Sequence, residues 1–157
     1  MTDAGSTKPA STKPGARGLR LLAQDEDDLR ALSAALQDAV VRIGDITFDP
    51  RGRTFTAVVN RYRWEAGKRA ERVRAAVRVD GVGRVRARGV RLDEPAAVAN
   101  LLSVEFRPDG EPPSGLLRLV FSGGGEIEAE VECIDASLVD LTRPWRARGR
   151  PKHEDSG

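Results

Sequence analysis

The chain has 157 residues and a formal net charge of +2, which predicts one domain, because typical domains contain about 100–200 residues. Hydrophobic residues make up 39% of it, enough to bury a core, so global disorder is excluded. No apolar run approaches the roughly 20 residues that span a bilayer, and the N-terminus has no apolar leader. A lone cysteine, Cys133, excludes an intrachain disulfide, so we expect a soluble cytoplasmic protein without membrane association.

Two stretches of opposite charge follow each other in the chain. Residues 61–92 contain eleven basic and three acidic side chains, and residues 93–142 contain eleven acidic and two basic ones. The small net charge is therefore a poor guide to partners, because the charge is segregated along the chain.

Both ends of the chain predict disorder. Residues 1–18 contain the motif STKP twice, and residues 147–157 are polar and basic. Such segments cannot offset the entropy of ordering, so we expect two disordered tails around a single domain over 19–146.

The domain begins with a strand pattern over 19–24 and a helix pattern after it. Asp25 can cap this helix, and the spacing of Leu29, Leu32 and Leu36 places them on one face.

After this helix the apolar residues recur mainly with a period of two, which predicts strands. A bulge is expected at Gly44, and the Asp-Pro-Arg-Gly turn at 49–52 joins the first two strands into a hairpin. The predicted elements are strands at 41–48, 53–64, 72–80, 82–90, 102–107, 116–121 and 126–133, and short helices beginning at Asp93 and Asp135.

These elements predict an α+β fold of seven to eight mostly antiparallel strands with two to three helices. Their order, β-α-β-β-β followed by a similar unit, suggests an internal duplication without a residue-level repeat. The apolar phase of each element predicts a core of Leu29, Leu32, Leu36, Phe48, Phe55, Val59, Val77, Val104, Phe106, Leu119, Phe121, Val131 and Cys133.

Residues that enzymes and metal sites commonly use are scarce. The single histidine, His153, lies in the C-terminal tail, so it supplies no catalytic base or metal ligand to the folded part. Cys133 alternates onto an apolar strand face, where we expect a buried and inert thiol. The sequence therefore predicts no catalytic residue, no metal ligand and no cofactor.

Six arginines are the candidate residues for binding an anion or a partner: Arg72, Arg74, Arg78, Arg84, Arg86 and Arg88. They alternate with apolar residues on two strands, while Glu126, Glu128, Glu130 and Glu132 alternate on a third. Three interpretations remain open: a cross-strand ladder within the chain, a contact between two copies, or a basic surface for phosphates. No aromatic residue is interleaved for base stacking, the nearest being Tyr62 and Trp64. We expect at least two of the arginines to lie opposite the glutamates.

Several segments resemble a bacterial family, domain of unknown function 2948. They are LRLLAQDEDDLRALSAALQDAVVRIGDITFDPRGRTFTAVVNRYRWE, RVRAAVRVDGVGRVRARGV, EPAAVANLLSVEF and GGGEIEAEVECIDASLVDL. The resemblance covers about residues 19–146 and implies an intact domain in a bacterial cytoplasm, but no activity and no site residue.

The leading hypothesis is a non-enzymatic protein-interaction or self-association domain, with a second copy or another protein as partner. The alternative is nucleic-acid or anion binding through the arginine-faced strands over 72–91. A third hypothesis is an enzyme whose site contains only carboxylates.

Overall fold

The computed structural model describes residues 18–147, which form one α-helix and ten strands. The elements in chain order are β1 (Arg20–Ala23), α1 (Glu26–Leu36), β2 (Ala39–Asp49), β3 (Thr54–Tyr62), β4 (Glu71–Asp80), β5 (Val82–Arg88), β6 (Val98–Pro108), β7 (Gly115–Phe121), β8 (Glu126–Val131), β9 (Ala136–Asp140) and β10 (Trp145–Arg146). Two single 3-10 turns lie at Trp64–Ala66 and Ser122–Gly124. The predicted tails, 1–18 and 147–157, lie outside the described residues except for Gly18 and Ala147.

All ten strands belong to one antiparallel sheet in the order β1-β9-β4-β3-β2-β6-β7-β8-β5, with β10 also beside β4. The sheet folds back on itself, because β4 pairs with β9 while β5 pairs with β8. Only Gly81 separates β4 from β5, and its φ of +72° is a conformation that glycine adopts without strain. The amide of Glu132 donates to the carbonyl of Gly81 at this bend. The chain therefore bends at Gly81 from β4, which lies between β9 and β3, into β5 at the end of the sheet.

Helix α1 confirms the predicted cap and apolar stripe. The side chain of Asp25 accepts a hydrogen bond from the amide of Asp28 at 2.7 Å. Leu29, Leu32 and Leu36 are buried in the core, where the helix packs chiefly against β6 and β1.

A β-bulge interrupts the pairing of β2 with β3 between Val41 and Ile46, which confirms the bulge expected at Gly44. Within it the amides of Ile43 and Gly44 donate to the carbonyls of Ala97 and Pro95, both at 2.8 Å. The bulge therefore turns away from β3 and pairs with the segment that leads into β6.

Both helices predicted for the second half are wrong, because the two segments are strands. The run that follows Asp93 enters β6, where Leu101 points into the core and Val98 points outward. The run that follows Asp135 becomes β9, which fills the gap between β1 and β4 with Leu138 facing inward. Backbone pairing on both sides outweighs the weak helix preference of short segments.

The described residues thus contain ten strands and one α-helix, rather than seven to eight strands and two to three helices. The second β-α-β-β-β unit does not form. No helix in this part of the chain is long and apolar enough to cross a membrane.

Ten of the thirteen predicted core residues are buried. Phe48 and Phe106 are partly buried and pack against the core. Cys133 is exposed, which contradicts the prediction, because β8 ends at Val131 and the alternation ends with it. Ile134 takes the next buried position.

Replacing Leu32 by alanine is expected to lower the free energy of unfolding by about 2–5 kcal/mol, because the side chain is fully buried and its removal leaves a cavity. Urea denaturation followed by circular dichroism measures the loss. Leu22→Ala is the matched control, since the Leu22 side chain is 60% exposed and should cost little. Equal losses in the two variants would contradict the assigned core.

Candidate functional site

The six candidate arginines do not form one surface. Three belong to β4, which lies between β9 and β3, and three belong to β5, which is the last strand at one end of the sheet. The two groups therefore have different neighbours.

The arginines of β5 lie directly opposite the glutamates of β8. Cross-strand partners are Arg84 with Glu130, Arg86 with Glu128, and Arg88 with Glu126, which confirms that at least two of the arginines lie opposite the glutamates. Of the interpretations left open, the structure shows the ladder within one chain.

The ion-pair distances in this ladder are long. Nη1 of Arg84 lies 3.9 Å from Oε2 of Glu130, and Nη2 of Arg86 lies 3.5 Å from Oε1 of Glu128. On the other side of β8, Arg118 of β7 also forms ion pairs with Glu126 and Glu128. Each exposed pair contributes little, but together they neutralise the basic charge of β5.

Arg74 and Arg78 of β4 point to the outer side of the sheet, away from the core. Nη2 of Arg78 lies 3.1 Å from Oδ1 of Asp80. Arg74 donates to Oδ1 of Asn60 and to Oδ2 of Asp45, both at 3.4 Å. These arginines have polar neighbours but no facing row of glutamates.

Arg72 lies in a row of aromatic residues. It is the cross-strand partner of Tyr62 on one side and of Trp145 on the other. Its guanidinium carbon lies 5.8 Å from the centroid of the Tyr62 ring, within cation–π range. The Tyr62 and Trp64 rings have centroids 4.6 Å apart. Arg72 therefore lies beside Tyr62 and Trp145, and Trp64 packs against the Tyr62 ring.

Sequence reasoning missed this row, because Trp145 lies far from Arg72 in sequence and reaches it only through β10. No aromatic residue is interleaved with the arginines in the sequence, and Tyr62 and Trp145 reach Arg72 only through strand pairing. The signal in the sequence that could have indicated this row is Trp145, which lies near the start of the basic C-terminal segment.

Exposed apolar side chains concentrate on the same side of the sheet. We use the term outer face for the residues of β1, β2, β3, β4, β9 and β10 that point away from the core, together with the first residues of β6. Leu22 and Val98 point outward from β1 and β6, and Leu141 follows β9 beside Arg74. Four of the six large apolar side chains that are exposed in residues 18–147 lie here: Leu22, Val98, Leu141 and Trp145. Helix α1 packs on the opposite, inner side, where its buried leucines join the core.

The outer face carries more positive than negative charge. Its outward strand positions include five arginines and three aspartates: Arg20, Arg42, Arg72, Arg74, Arg78, Asp45, Asp49 and Asp80. Exposed leucine, valine and tryptophan among arginines is a composition typical of protein-binding surfaces.

A second cluster of charges is buried at the end of β3. The Arg61 side chain is inaccessible to solvent, and its Nε and Nη2 donate to the two oxygens of Asp140 at 2.8 and 2.9 Å. Its Nη1 and Nη2 also donate to Glu65 at 3.1 and 2.6 Å, and Nη1 to the carbonyl of Tyr62 at 3.3 Å. Asp140 in turn accepts from the amide of Leu19 at 2.8 Å. Every N–H of this guanidinium has an acceptor, so the cluster is structural.

This cluster keeps its charges ionised. Burial is the largest single influence on Glu65 and disfavours its charged form, but the hydrogen bonds from Arg61, a backbone hydrogen bond and the charges of Arg61 and Arg63 together hold the pKa of Glu65 below its usual range. Burial likewise opposes the charge of Arg61, while hydrogen bonds to Asp140 and Glu65 raise its pKa. Among residues 18–147, no three His, Cys, Asp or Glu side chains are grouped so that they could hold a metal ion.

Reversing the charge of Glu130 to lysine is expected to destabilise the protein at low ionic strength, because the lysine would face Arg84. The effect should be roughly 0.2–1 kcal/mol and should shrink as salt screens the repulsion. Arg84→Glu in the Glu130→Lys background should recover part of the loss, measured by urea denaturation as a double-mutant cycle.

Glu111→Lys serves as the control for this cycle, since Glu111 is exposed in the loop between β6 and β7. It should show no coupling to Arg84→Glu. Strict additivity of the Glu130 and Arg84 changes would mean that the two side chains do not interact.

Replacing Asp140 by alanine is expected to cost about 3–5 kcal/mol of stability, because Arg61 would keep its buried charge with one partner removed. The same change at the exposed Asp109 is the control. Thermal and urea denaturation of both variants measure the difference, and equal small losses would contradict a structural role of the ion pair.

The cluster also predicts a pH dependence. Because the pKa of Glu65 is lowered by folding, its contribution is present at neutral pH and is lost as the pH falls through the folded-state pKa. Glu65→Gln should therefore lower stability at neutral pH and weaken its decline in acid.

Comparison with protein families matches residues 19–153 of the chain to one family, described as protein of unknown function (DUF2948). No curated protein and no solved structure matches the chain. The match covers nearly all of the described residues and confirms the resemblance indicated by the sequence segments.

Proposed function

We propose that this chain, which belongs to the DUF2948 family of proteins of unknown function, is a non-enzymatic protein-interaction domain. The partner docks on the outer face, and the domain acts in the cytoplasm.

The observation that carries this proposal is the grouping of exposed apolar side chains with arginines on one sheet face. Leu22, Val98, Leu141 and Trp145 are between 42% and 64% exposed there. Leu141 and Trp145 both lie beside β4, whereas Leu22 and Val98 lie on β1 and β6 at either side of this face. Exposed apolar side chains on one face are more favourable when a partner covers them. Tryptophan and arginine are also the residues that most often dominate binding energy at protein interfaces.

The charge of the outer face favours a different chain over a second copy. Two outer faces in contact would bring five arginines from each copy together, and like charges at a contact are unfavourable. A partner with an acidic, partly apolar surface would complement the face and would also associate faster.

Nucleic-acid binding is the second candidate, and the row of Arg72 and Trp145 is the observation that favours it. An exposed tryptophan beside an arginine can stack on a base while the arginine contacts phosphate. The ladder of β5 argues against a larger basic surface, because Arg84, Arg86 and Arg88 already face glutamates.

The proposal is tested by substituting lysine for Leu141 and for Val98. A protein captured from native lysate is purified, and its affinity for each variant is measured by calorimetry. Both substitutions should weaken binding about tenfold or more, because they place a charge in the apolar part of the contact. Leu92→Lys is the control, since Leu92 is similarly exposed but lies in the loop between β5 and β6.

Sedimentation velocity of the purified chain separates the other outcomes. A dimer that dissociates in Leu141→Lys would assign the face to a second copy. Binding to single-stranded nucleic acid that falls steeply with salt and is lost in Arg72→Gln would support the second candidate instead. Equal partner affinity in all three lysine variants would contradict docking on the outer face.

A further inference from the structure

The bulge of β2 opens a cleft in the outer face. The cleft has a volume of about 230 Å³ and is lined by Val40, Arg42, Asp45, Val58, Asn60, Arg74 and Val98. It exists because the pairing of β2 with β3 is interrupted between Val41 and Ile46, so that no regular ladder residue fills the space opposite Val58. Bulges of this kind frequently redirect side chains at functional sites.

Two guanidinium groups in this cleft share one carboxylate. Nη2 of Arg42 lies 3.3 Å from Oδ1 of Asp45, and Nη2 of Arg74 lies 3.4 Å from Oδ2. The hydrogen bond from Arg42, assisted by the charge of Arg74, holds the pKa of Asp45 below its usual range. Asp45 is therefore ionised at neutral pH, and the group of three side chains has one positive charge in excess.

These contacts are looser than those of the buried cluster. Charge-assisted N–H···O bonds are usually about 2.7–2.9 Å long, as they are between Arg61 and Asp140. The distances to Asp45 exceed this range by several tenths of an ångström. The side chains of Arg42 and Arg74 are also 60% and 41% exposed, so their remaining N–H groups can reach an incoming anion.

The floor of the cleft is aliphatic. Val40 and Val58 are half-buried there, and Val98 is 64% exposed at its edge. Pockets for drug-sized ligands have volumes of roughly 300–1,000 Å³, so this smaller cleft suits one amino-acid residue. A ligand that fits this cleft has a carboxylate that can bind both arginines and, next to it, a branched apolar side chain that can contact the valines.

We propose that the bulge cleft binds the C-terminal residue of a partner chain, an aliphatic residue whose α-carboxylate lies between Arg42 and Arg74. A C-terminal valine or leucine carries its carboxylate and its apolar side chain on the same carbon, which matches the closeness of the arginines to the valine floor. The side chain of Asn60 also lines the cleft, close to where the carboxylate would lie. This inference rests on the proposed function for its source of ligand, but it can be tested without the partner.

The probe is the peptide acetyl-Ala-Ala-Val with a free C-terminal carboxylate, titrated into the full chain and followed by backbone amide NMR shifts. Its C-terminal amide is the matched ligand control. The acid should shift the amides around Asp45, Val58 and Asn60, and it should bind at least about tenfold more tightly than the amide, because the amide cannot accept charge-assisted hydrogen bonds from both arginines.

Three variants distinguish a site from a general attraction to a basic protein. Arg74→Gln should weaken binding about tenfold. Asp45→Asn should tighten it, since Asp45 competes with the ligand for the arginines, and a merely structural role would not produce this gain. Arg86→Gln should change nothing, because Arg86 is equally exposed but lies on β5.

Equal binding of the acid and the amide, or an equal loss in Arg86→Gln, would overturn the cleft as a carboxylate site. Isovalerate binding as tightly as the peptide would overturn the C-terminal residue as its occupant in favour of a free aliphatic acid. Peptide binding by a chain for which no protein partner is captured would uphold the cleft and contradict the proposed function. A captured protein partner together with no peptide binding would uphold the proposed function and contradict the cleft as a carboxylate site.

Discussion

The ion pair between Arg61 and Asp140 fixes the ends of the strands on which the outer face is built. Its bidentate geometry joins β3 to the last residue of β9, and the Leu19 amide attaches the start of β1 to the same carboxylate. Tyr62 follows Arg61 in the chain, and Leu141 follows Asp140. The inward ion pair therefore positions the aromatic and apolar residues that point outward beside it. Replacing a buried pair by apolar residues is often neutral for stability, so the specific role of this one lies in registration.

The charged side chains on the outer surface of the sheet have two different arrangements. On β5, β8 and β7, arginines and glutamates alternate across strands, and Arg118 continues the network beyond the first ladder. On β4 and β2, the outward-pointing arginines lie among valine, leucine and tryptophan, together with three aspartates. A balanced ladder presents little field to a partner, whereas the second arrangement leaves positive charge beside apolar area. Uncompensated positive charge beside exposed apolar side chains is therefore concentrated on one half of the sheet, although both halves contain several arginines.

Much of the local structure is predictable from the sequence, and the predictions that were wrong have physical causes. The cap at Asp25, the leucine stripe of α1 and the bulge at Gly44 are set by neighbouring residues, so the sequence pattern is sufficient to predict them. The ladder was predictable because its residues alternate strictly on each strand. The first residues of β6, before the predicted strand at 102–107, and the five residues of β9 show no clear strand alternation, and pairing with distant strands makes them extended. Cys133 was misplaced because the pattern does not show where β8 stops at the bend.

The candidate site was harder to predict than the fold, for a related reason. Trp145 meets Arg72 through a two-residue strand, and Val98 meets Arg42 across the bulge, so both contacts depend on long-range pairing. Composition indicated that arginine would matter but not which arginines remain available. Whether an arginine is available to a partner depends on the side chains of the neighbouring strand, and the sequence does not specify which strand that is.

The position of β5 at the end of the sheet has a consequence for solubility. Among residues 18–147 its backbone pairs only with β8, so its other side is a potential template for the strand of another molecule. If two copies met there edge to edge, Arg84, Arg86 and Arg88 of each would be brought close to those of the other. β8 balances these charges at longer range, but like charges brought directly opposite each other are unfavourable, so the three arginines oppose edge-to-edge association there.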